Sequence, residues 1–501
     1  MKPLGTITMY FPFLDKYTVS EVETIMNQAD SYYDFVLRLS ERACRDKPPT
    51  LLAHLAAVHA WRLSATHAKR DLSEAFGHDP IIGIWTAPQH KMKMHELFEK
   101  INQALEAAEE NWIQVELLCL KSWYARYHIL DELLDYEPLQ KAEAMVEERA
   151  ELDCFSALVH TVRSELSFIH SGYQKEGAES SIQRGYDEYN KGMKYAKKFN
   201  DRFQTYQLLW THSSWIKTWD AIEALTLQEE AHKLAKEFGA PQKIAEAMAD
   251  MGRISEALGE YDLAIECYES SLEKYGFPDM ELYREIIDSP TFCIARIYCE
   301  LGNGDVALEL IDSIFDLVGP VAADIPYLHS QRAEALIHLK RTREATTHLE
   351  IGQKGALKSG AEGYVALNDL AAAYFELTQG NPLAAIQLLV PWYNLFLKTP
   401  AAIYNNRFLL GLTRAEIAAN LAGVWIEASE EWMNKLENHA KEKQLPGIIM
   451  QHALLKAEYL MSQEQNEEAI KILQDALLDE HSDTTRTLYE RIQKKLEELQ
   501  I

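Results

Sequence analysis

The chain has 501 residues, more than one compact core usually accommodates, so it is either several domains or a repeat array. Gly (22) and Pro (16) are scarce, and Val occurs only 14 times with none between residues 201 and 300, which argues against a large β-sheet and the α/β enzyme folds built on one. A hydrophobic fraction of 47% excludes a largely disordered chain, and a formal charge of −27 disfavours nucleic acid and anionic membrane surfaces.

From the N-terminus, Met1-Lys2-Pro3-Leu4 has too broken an apolar stretch for a signal peptide, and a cytoplasmic location is expected. Met9-Tyr10-Phe11-Pro12-Phe13-Leu14 is too short and Pro-interrupted for a helix; it is expected to fold back on the first helices or to join subunits of a homo-oligomer. Ser20-x-x-Glu23 predicts a capping box opening a helix whose apolar face runs from Val22 to Leu37. Residues 50–76 read as one helical stretch. Residues 77–94, with Gly77, Pro80, Gly83 and Pro88, read as the one long loop, and residues 1–95 as a divergent N-terminal part. Helical patterns continue over 95–109, 112–134, 138–151, 157–171, 180–198, 201–218 and 220–237. Tyr206, Trp210, Trp215 and Trp219 are expected to supply core volume on two sides of their helix. The longest uncharged run, 377–397, holds too many amides and breakers to insert in a bilayer.

An internal period appears in the second half. Gly252, Gly259, Tyr261, Ala264, Ile265 and Tyr268 are followed by a copy carrying Ala295, Gly302, Ala307 and Leu308. Further copies hold Ala333 with Ala345, Ala371 with Ala385, and Ala457 with Ala469. In four of them the first-helix small residue and the second-helix alanine lie 12 positions apart, and in the Ala371 copy 14, the extra residues coinciding with Gly380-Asn381-Pro382. Small residues at a fixed spacing let two antiparallel helices cross closely. A degenerate copy is expected near 405–445, and residues 483–501 are predicted to form an amphipathic capping helix.

This pattern resembles the tetratricopeptide repeat family, in a variant with repeats of about 38–43 residues. The resemblance implies an all-α fold, an α-α superhelix of stacked antiparallel helix pairs over residues 96–482, clearest at 244–477. It also implies a groove lined by the first helix of each pair. The family's groove positions fall on Ala249, Asp250, Arg253 and Glu256, then on Phe292, Cys293, Arg296 and Cys299, then on Ser330, Gln331, Glu334 and Ile337. The basic and amide residues by which some of these domains hold chaperone tails are absent at the matching places.

No phosphate-binding loop, dinucleotide fingerprint, zinc-protease helix or nucleophile elbow is present, and no cofactor or metal is expected. His78, His90 and His95 lack ligand spacing, and the pair Asp131 and Asp135 reads as a solvated face. The six cysteines form no C-x-x-C pair. The function expected is non-enzymatic: a scaffold holding a peptide segment or partner surface through Arg253, Arg296, Phe292, Asp250, Gln331 and Glu334. Arg253 and Arg296 would stack and hold an acidic group, unless each pairs with a neighbouring carboxylate. The other reading is a regulatory sensor whose curvature responds to a peptide or small effector.

Overall fold

The structure is a computed structural model that describes residues 16–46, 49–87, 94–125, 136–173, 178–217, 220–275, 289–319, 325–360, 362–396, 402–424, 429–478 and 484–499. Among these residues there are 25 α-helices and no strand. The segment Met9 to Leu14, His90, Asp131, Asp135, Trp219 and Trp425 lie outside the described residues. The helices group into two compact units, one formed by Met1–Trp215 and Thr226–Ala247, the other by Ile216–Leu225 and Met248–Ile501.

In chain order, the helices that begin in the first unit are α1 (Lys16–Gln28), α2 (Tyr32–Ala43), α3 (Leu51–Arg62), α4 (Thr66–Phe76), α5 (Pro80–Thr86), α6 (Met94–Ala107) and α7 (Asn111–Ala125). They continue with α8 (Glu137–Glu148), α9 (Ser156–Tyr173), α10 (Ala178–Lys198) and α11 (Arg202–Ile216), with a 3-10 turn at Ala150–Phe155 before α9. Next come α12 (Ala221–Phe238) and α13 (Pro241–Leu258).

Three sequence expectations are corrected here. The first described helix already includes Lys16 and runs through Ser20 to Gln28, so Ser20 lies within it and does not cap it. The cap is at Ser31, whose side chain accepts from Asp34 N (3.0 Å) while Asp34 Oδ2 accepts from Asp30 N (3.0 Å). That reciprocal pair starts α2 afresh, so the apolar face read as continuous belongs to two helices. Residues 50–76 form two helices because Ser64 takes a left-handed conformation (φ 53°). The stretch read as a loop from Gly77 contains α5: Asp79 accepts from Ile81 N and Ile82 N, each at 2.9 Å, and Pro80 occupies the first helical position. Ile81, Ile82, Ile84 and Trp85 of that helix are buried.

The first unit's core runs from Val22 to Ala240 and joins its early helices to its last. Tyr32 on α2 meets the Phe238 ring on α12 edge-on, centroids 5.7 Å apart, and Phe238 in turn contacts Phe203 and Tyr206. Trp210 and Trp215 are half-buried against the same core, as their opposite placement on α11 requires. A cation is buried here too: Arg62 pairs with Glu116 and lies 5.4 Å from the centre of the Phe203 ring.

The second unit continues with α14 (Tyr261–Tyr275), α15 (Pro290–Glu300), α16 (Gly304–Val318), α17 (Pro326–His338) and α18 (Thr342–Ser359). Then follow α19 (Glu362–Thr378), α20 (Pro382–Phe396), α21 (Ala402–Leu421), α22 (Glu431–Glu442), α23 (Pro446–Ser462), α24 (Asn466–Ala476) and α25 (Arg486–Leu499). Each repeat copy is a helix pair, the first formed by α13 with α14. The degenerate copy is α21 with α22, where Trp432 and Leu436 are buried.

The stack in this unit closes on itself. Tyr261, Ala264 and Tyr268 of α14 share one core with Met450, Ala457 and Leu460 of α23, Leu473 of α24, and Leu488, Ile492 and Leu496 of α25. Gly447 approaches Gly259 so closely that a Cβ added at Gly447 would lie 1.8 Å from the Gly259 carbonyl oxygen. Gln451 donates to the Tyr261 hydroxyl (2.9 Å), and Asn406 donates to the Ala257 carbonyl (2.8 Å). Among the described residues no helix is long and apolar enough to cross a membrane.

Candidate functional site: the charged inner helices of the second unit

The repeat geometry explains what faces inward. At the crossing of α13 and α14, a Cβ on Gly252 would come within 2.8 Å of the Tyr268 ring, so only glycine allows this approach. At each joint between paired helices one residue turns left-handed: Gly259, Gly302, Lys340, Gly380 and Glu464, with φ from 59° to 78°. The next residue donates back to the carbonyl five positions earlier, as in Glu260 to Ser255 (2.9 Å), Asn303 to Tyr298 (2.8 Å) and Gln465 to Leu460 (2.9 Å). The same closure ends α3 at Ala65 and α10 at Asp201. This is the Schellman joint that ends a helix and turns the chain back within a few residues. The second unit is thus a helical-repeat fold of stacked antiparallel helix pairs with a recurring joint.

On the first helices the inward positions carry charge. Arg296 on α15 grips Glu256 on α13 with Nε at 2.6 Å and Nη2 at 2.7 Å, and the Tyr268 hydroxyl donates to the same carboxylate (3.0 Å). Both members of the ion pair are almost fully buried, with side chains 4% and 3% exposed. Arg253 pairs with Asp250 on its own helix and keeps 17% of its side chain exposed. Each guanidinium expected to reach a partner's acid is thus engaged by a carboxylate of the chain itself. Phe292 is buried edge-on to Tyr327 (5.6 Å), with the Arg296 guanidinium 5.9 Å from its centre. Gln331 donates to Glu334 over 3.5 Å, and both are buried. Cys293, Cys299, Ser330 and Ile337 are buried as well.

The centre of the arrangement is a residue that the clear repeats did not suggest. Arg407 on α21 donates from Nε to Glu300 of α15 (2.6 Å) and from Nη2 to both oxygens of Glu334 of α17 (2.7 Å each). Arg414, two turns further on, donates to the Tyr374 hydroxyl of α19 (2.8 Å) and lies 3.4 Å from Glu300. Burial opposes ionisation of Glu300, but Arg407 and Arg414 outweigh it and hold its carboxyl below the ordinary value. Burial likewise works against charge on Arg407, and Glu334 and Glu300 overcome it. Three guanidiniums (Arg296, Arg407, Arg414) therefore balance three carboxylates (Glu256, Glu300, Glu334) inside the stack. Arg407 and Arg414 share one face of α21, seven residues apart in an otherwise apolar stretch. That pair was the available signal; their carboxylate partners, 73 to 114 residues away, had none.

This arrangement exchanges charged pairs between helices; it holds no nucleophile activated by a base. Among the described residues no group of three or more His, Cys, Asp or Glu is placed to hold a metal ion.

No protein-family model matches the chain, and no curated protein sequence matches it. The chain is similar to the crystal structure of the apo form of RapI, at 13% identity and TM-score 0.39, covering 76% of this chain and 99% of that one. It is also similar to the crystal structure of yeast Tom70, at 12% identity and TM-score 0.36, covering 97% of this chain and 96% of that one. Neither likeness carries the fold assignment, which rests on the packing described above.

Proposed function

We propose that the protein is a non-enzymatic interaction scaffold that takes a peptide segment or a partner's surface against the inner helices of its second unit. The observation that supports this reading is the set of polar and charged side chains on four of the first helices, α13, α15, α17 and α21: Asp250 and Arg253, Arg296 and Glu300, Gln331 and Glu334, Arg407 and Arg414. A repeat that only needed to fold would fill these positions with apolar residues, since a buried ion pair is seldom more stable than the hydrophobic groups that could replace it. Recognition on this reading exchanges an internal carboxylate for one supplied by the partner, starting at Arg253, with Arg296 and Phe292 behind it. No cofactor enters this scheme.

One observation favours the sensor form of the same idea. Arg407 ties three helices, α15, α17 and α21, through one guanidinium. A ligand that took over either carboxylate would release one helix pair from another, and the curvature of the stack would follow.

The test is affinity capture with the full chain beside its Arg253→Ala variant, with circular dichroism establishing that the variant is folded. A partner retained by the wild type and lost with Arg253→Ala supports the reading. Equal retention of every partner by both proteins overturns it. For the sensor form, small-angle scattering with and without that partner must change in profile.

A further inference from the structure

Two guanidiniums from distant helices converge on the C-terminal end of α15. Arg414 of α21 lies 3.4 Å from the Glu300 carboxylate, and Arg491 of α25 donates to the carbonyl oxygen of the next residue, Leu301. The packing of α25 puts Arg491 there. Leu488, Ile492 and Leu496 are buried in one core with Ile297 and Leu301. Asp262 holds Thr487 one turn earlier, through its backbone N (2.8 Å) and its hydroxyl (2.7 Å). Arg491, beside Ile492, is carried to the edge of that core and is half-buried. Arg414 keeps 27% of its side chain exposed, whereas Glu300 keeps 2%. Both cations can therefore be reached from solvent, while the carboxylate between the helices cannot.

Their charge is poorly matched. Arg407 already takes Glu300 at 2.6 Å, so Arg414 stands further off and finds its nearest partner in the neutral Tyr374 hydroxyl (2.8 Å). Among the described residues Arg491 enters no ion pair; it meets a neutral carbonyl, helped by the partial negative charge of a helix C-terminus. Burial, and then the neighbouring charge of Arg414, press Arg491 below its ordinary value, and Glu458 offsets them in part. Arg296, Arg407, Arg414 and Arg491 thus set four positive charges against the three carboxylates of Glu256, Glu300 and Glu334. Half-buried like charges are costly without a counter-charge, and guanidinium forks present paired N–H donors that suit the oxygens of an acid. We propose that Arg414 and Arg491 form an oxyanion site at the end of α15, which takes a small carboxylate or phosphate as their counter-charge. The site is separate from the exchange at Arg253, and a chain that captures no partner there can still hold this anion.

The probes are sodium phosphate and disodium succinate, each at about 10 mM on the full chain, with thermal melting as the readout. Sodium chloride of equal ionic strength is the reference, so a shift beyond it reports a bound anion and not general screening. At least one probe is expected to raise the midpoint by about 2–4 °C. Phosphate alone acting identifies a phosphate site, succinate alone a carboxylate site, and both together a site for either. Arg491→Gln keeps a donor for the Leu301 carbonyl and removes the charge, so in that variant the shift should disappear. Arg486→Gln, at an exposed position at the start of the same helix, should leave the shift intact. Should Arg491→Gln not fold by circular dichroism, Arg491→Met, which keeps the packing of the stem, takes its place. Equal melting of the wild type in all three salts overturns the proposal. So does a full shift in the Arg491→Gln chain, which would mean that Arg491 serves only to cap α15.

Discussion

Arg407 and Glu334 form a bidentate ion pair, with one guanidinium nitrogen 2.7 Å from both carboxylate oxygens, between helices whose sequence positions are 73 residues apart. Both side chains are 3% exposed. Removing the cation alone leaves the Glu300 and Glu334 carboxyls buried without the guanidinium they share. Arg407→Ala is therefore expected to cost about 3–5 kcal/mol, read from urea unfolding of the second unit. Replacing the three residues together, Arg407→Met with Glu300→Gln and Glu334→Gln, should cost clearly less than the single change. Equal losses would show that packing of the arginine stem, and not its charge, accounts for the effect.

The close approach of Gly447 to Gly259 predicts a large effect from a small substitution. Gly447→Ala places a methyl group against backbone and is expected to destabilise by about 1–3 kcal/mol. Gly363→Ala is the control: nothing lies within 4 Å of its added Cβ, and it sits within α19. That change should be neutral or stabilise by up to about 1 kcal/mol. In thermal melts Gly447→Ala should lower the midpoint, and Gly363→Ala should leave it unchanged or raise it.

Two joints of the repeat lack the glycine found at the others. Lys340 (φ 59°) and Glu464 (φ 61°) hold the left-handed conformation at the cost of a Cβ clash. Lys340→Gly and Glu464→Gly are expected to raise stability by about 0.5–1 kcal/mol each, and Gly302→Ala, at φ 73°, to lower it by a similar amount. Differential scanning calorimetry would resolve the three shifts.

How much of this was legible beforehand differs from place to place. The helix pairs of the second unit were readable because the crossing residues Gly252, Ala295, Ala333, Ala371 and Ala457 must be small, and a steric requirement leaves a fixed spacing in the sequence. Ser31 was missed in favour of Ser20 because both satisfy the local capping pattern; the apolar stripe tolerated either until packing chose. Helix α5 was hidden behind Gly77, Pro80 and Gly83, although Asp79-Pro80 is itself a helix-start signal. The charged interior was half visible: Arg253 and Arg296 stood out by repeat position, but nothing local tells that Arg296 spends its charge on Glu256. Arg407 lay in the degenerate copy, where no register marked it as inward-facing.

Acid should act on the histidines before the carboxylates. Burial lowers His212 and His232 from the ordinary 6.5 to about 4, with Lys236 adding to the effect at His232. Burial, followed by Arg332 and His329, does the same to His348, and burial depresses His452 to about 4 as well. Each is neutral when folded at pH 5 and protonated when unfolded, so the unfolded chain binds more protons. The stability due to these groups is complete above pH 6.5 and is lost as pH falls toward 4. The urea midpoint should decline through that interval, and His212→Gln should flatten its share of the slope. A midpoint constant from pH 7 to 5 would contradict this.

Arrays in which each unit touches only its neighbours can gain or lose a copy with little penalty, and their length drifts accordingly. The contact of Gly447 with Gly259 removes that freedom from the second unit. Splicing one extra helix pair between α18 and α19 would carry α23 past α14, uncovering the apolar faces that now meet and leaving α25 without a seat. The number of copies in this unit is thus a closure condition, as the number of staves is for a barrel, and consensus repeats cannot simply be inserted into it.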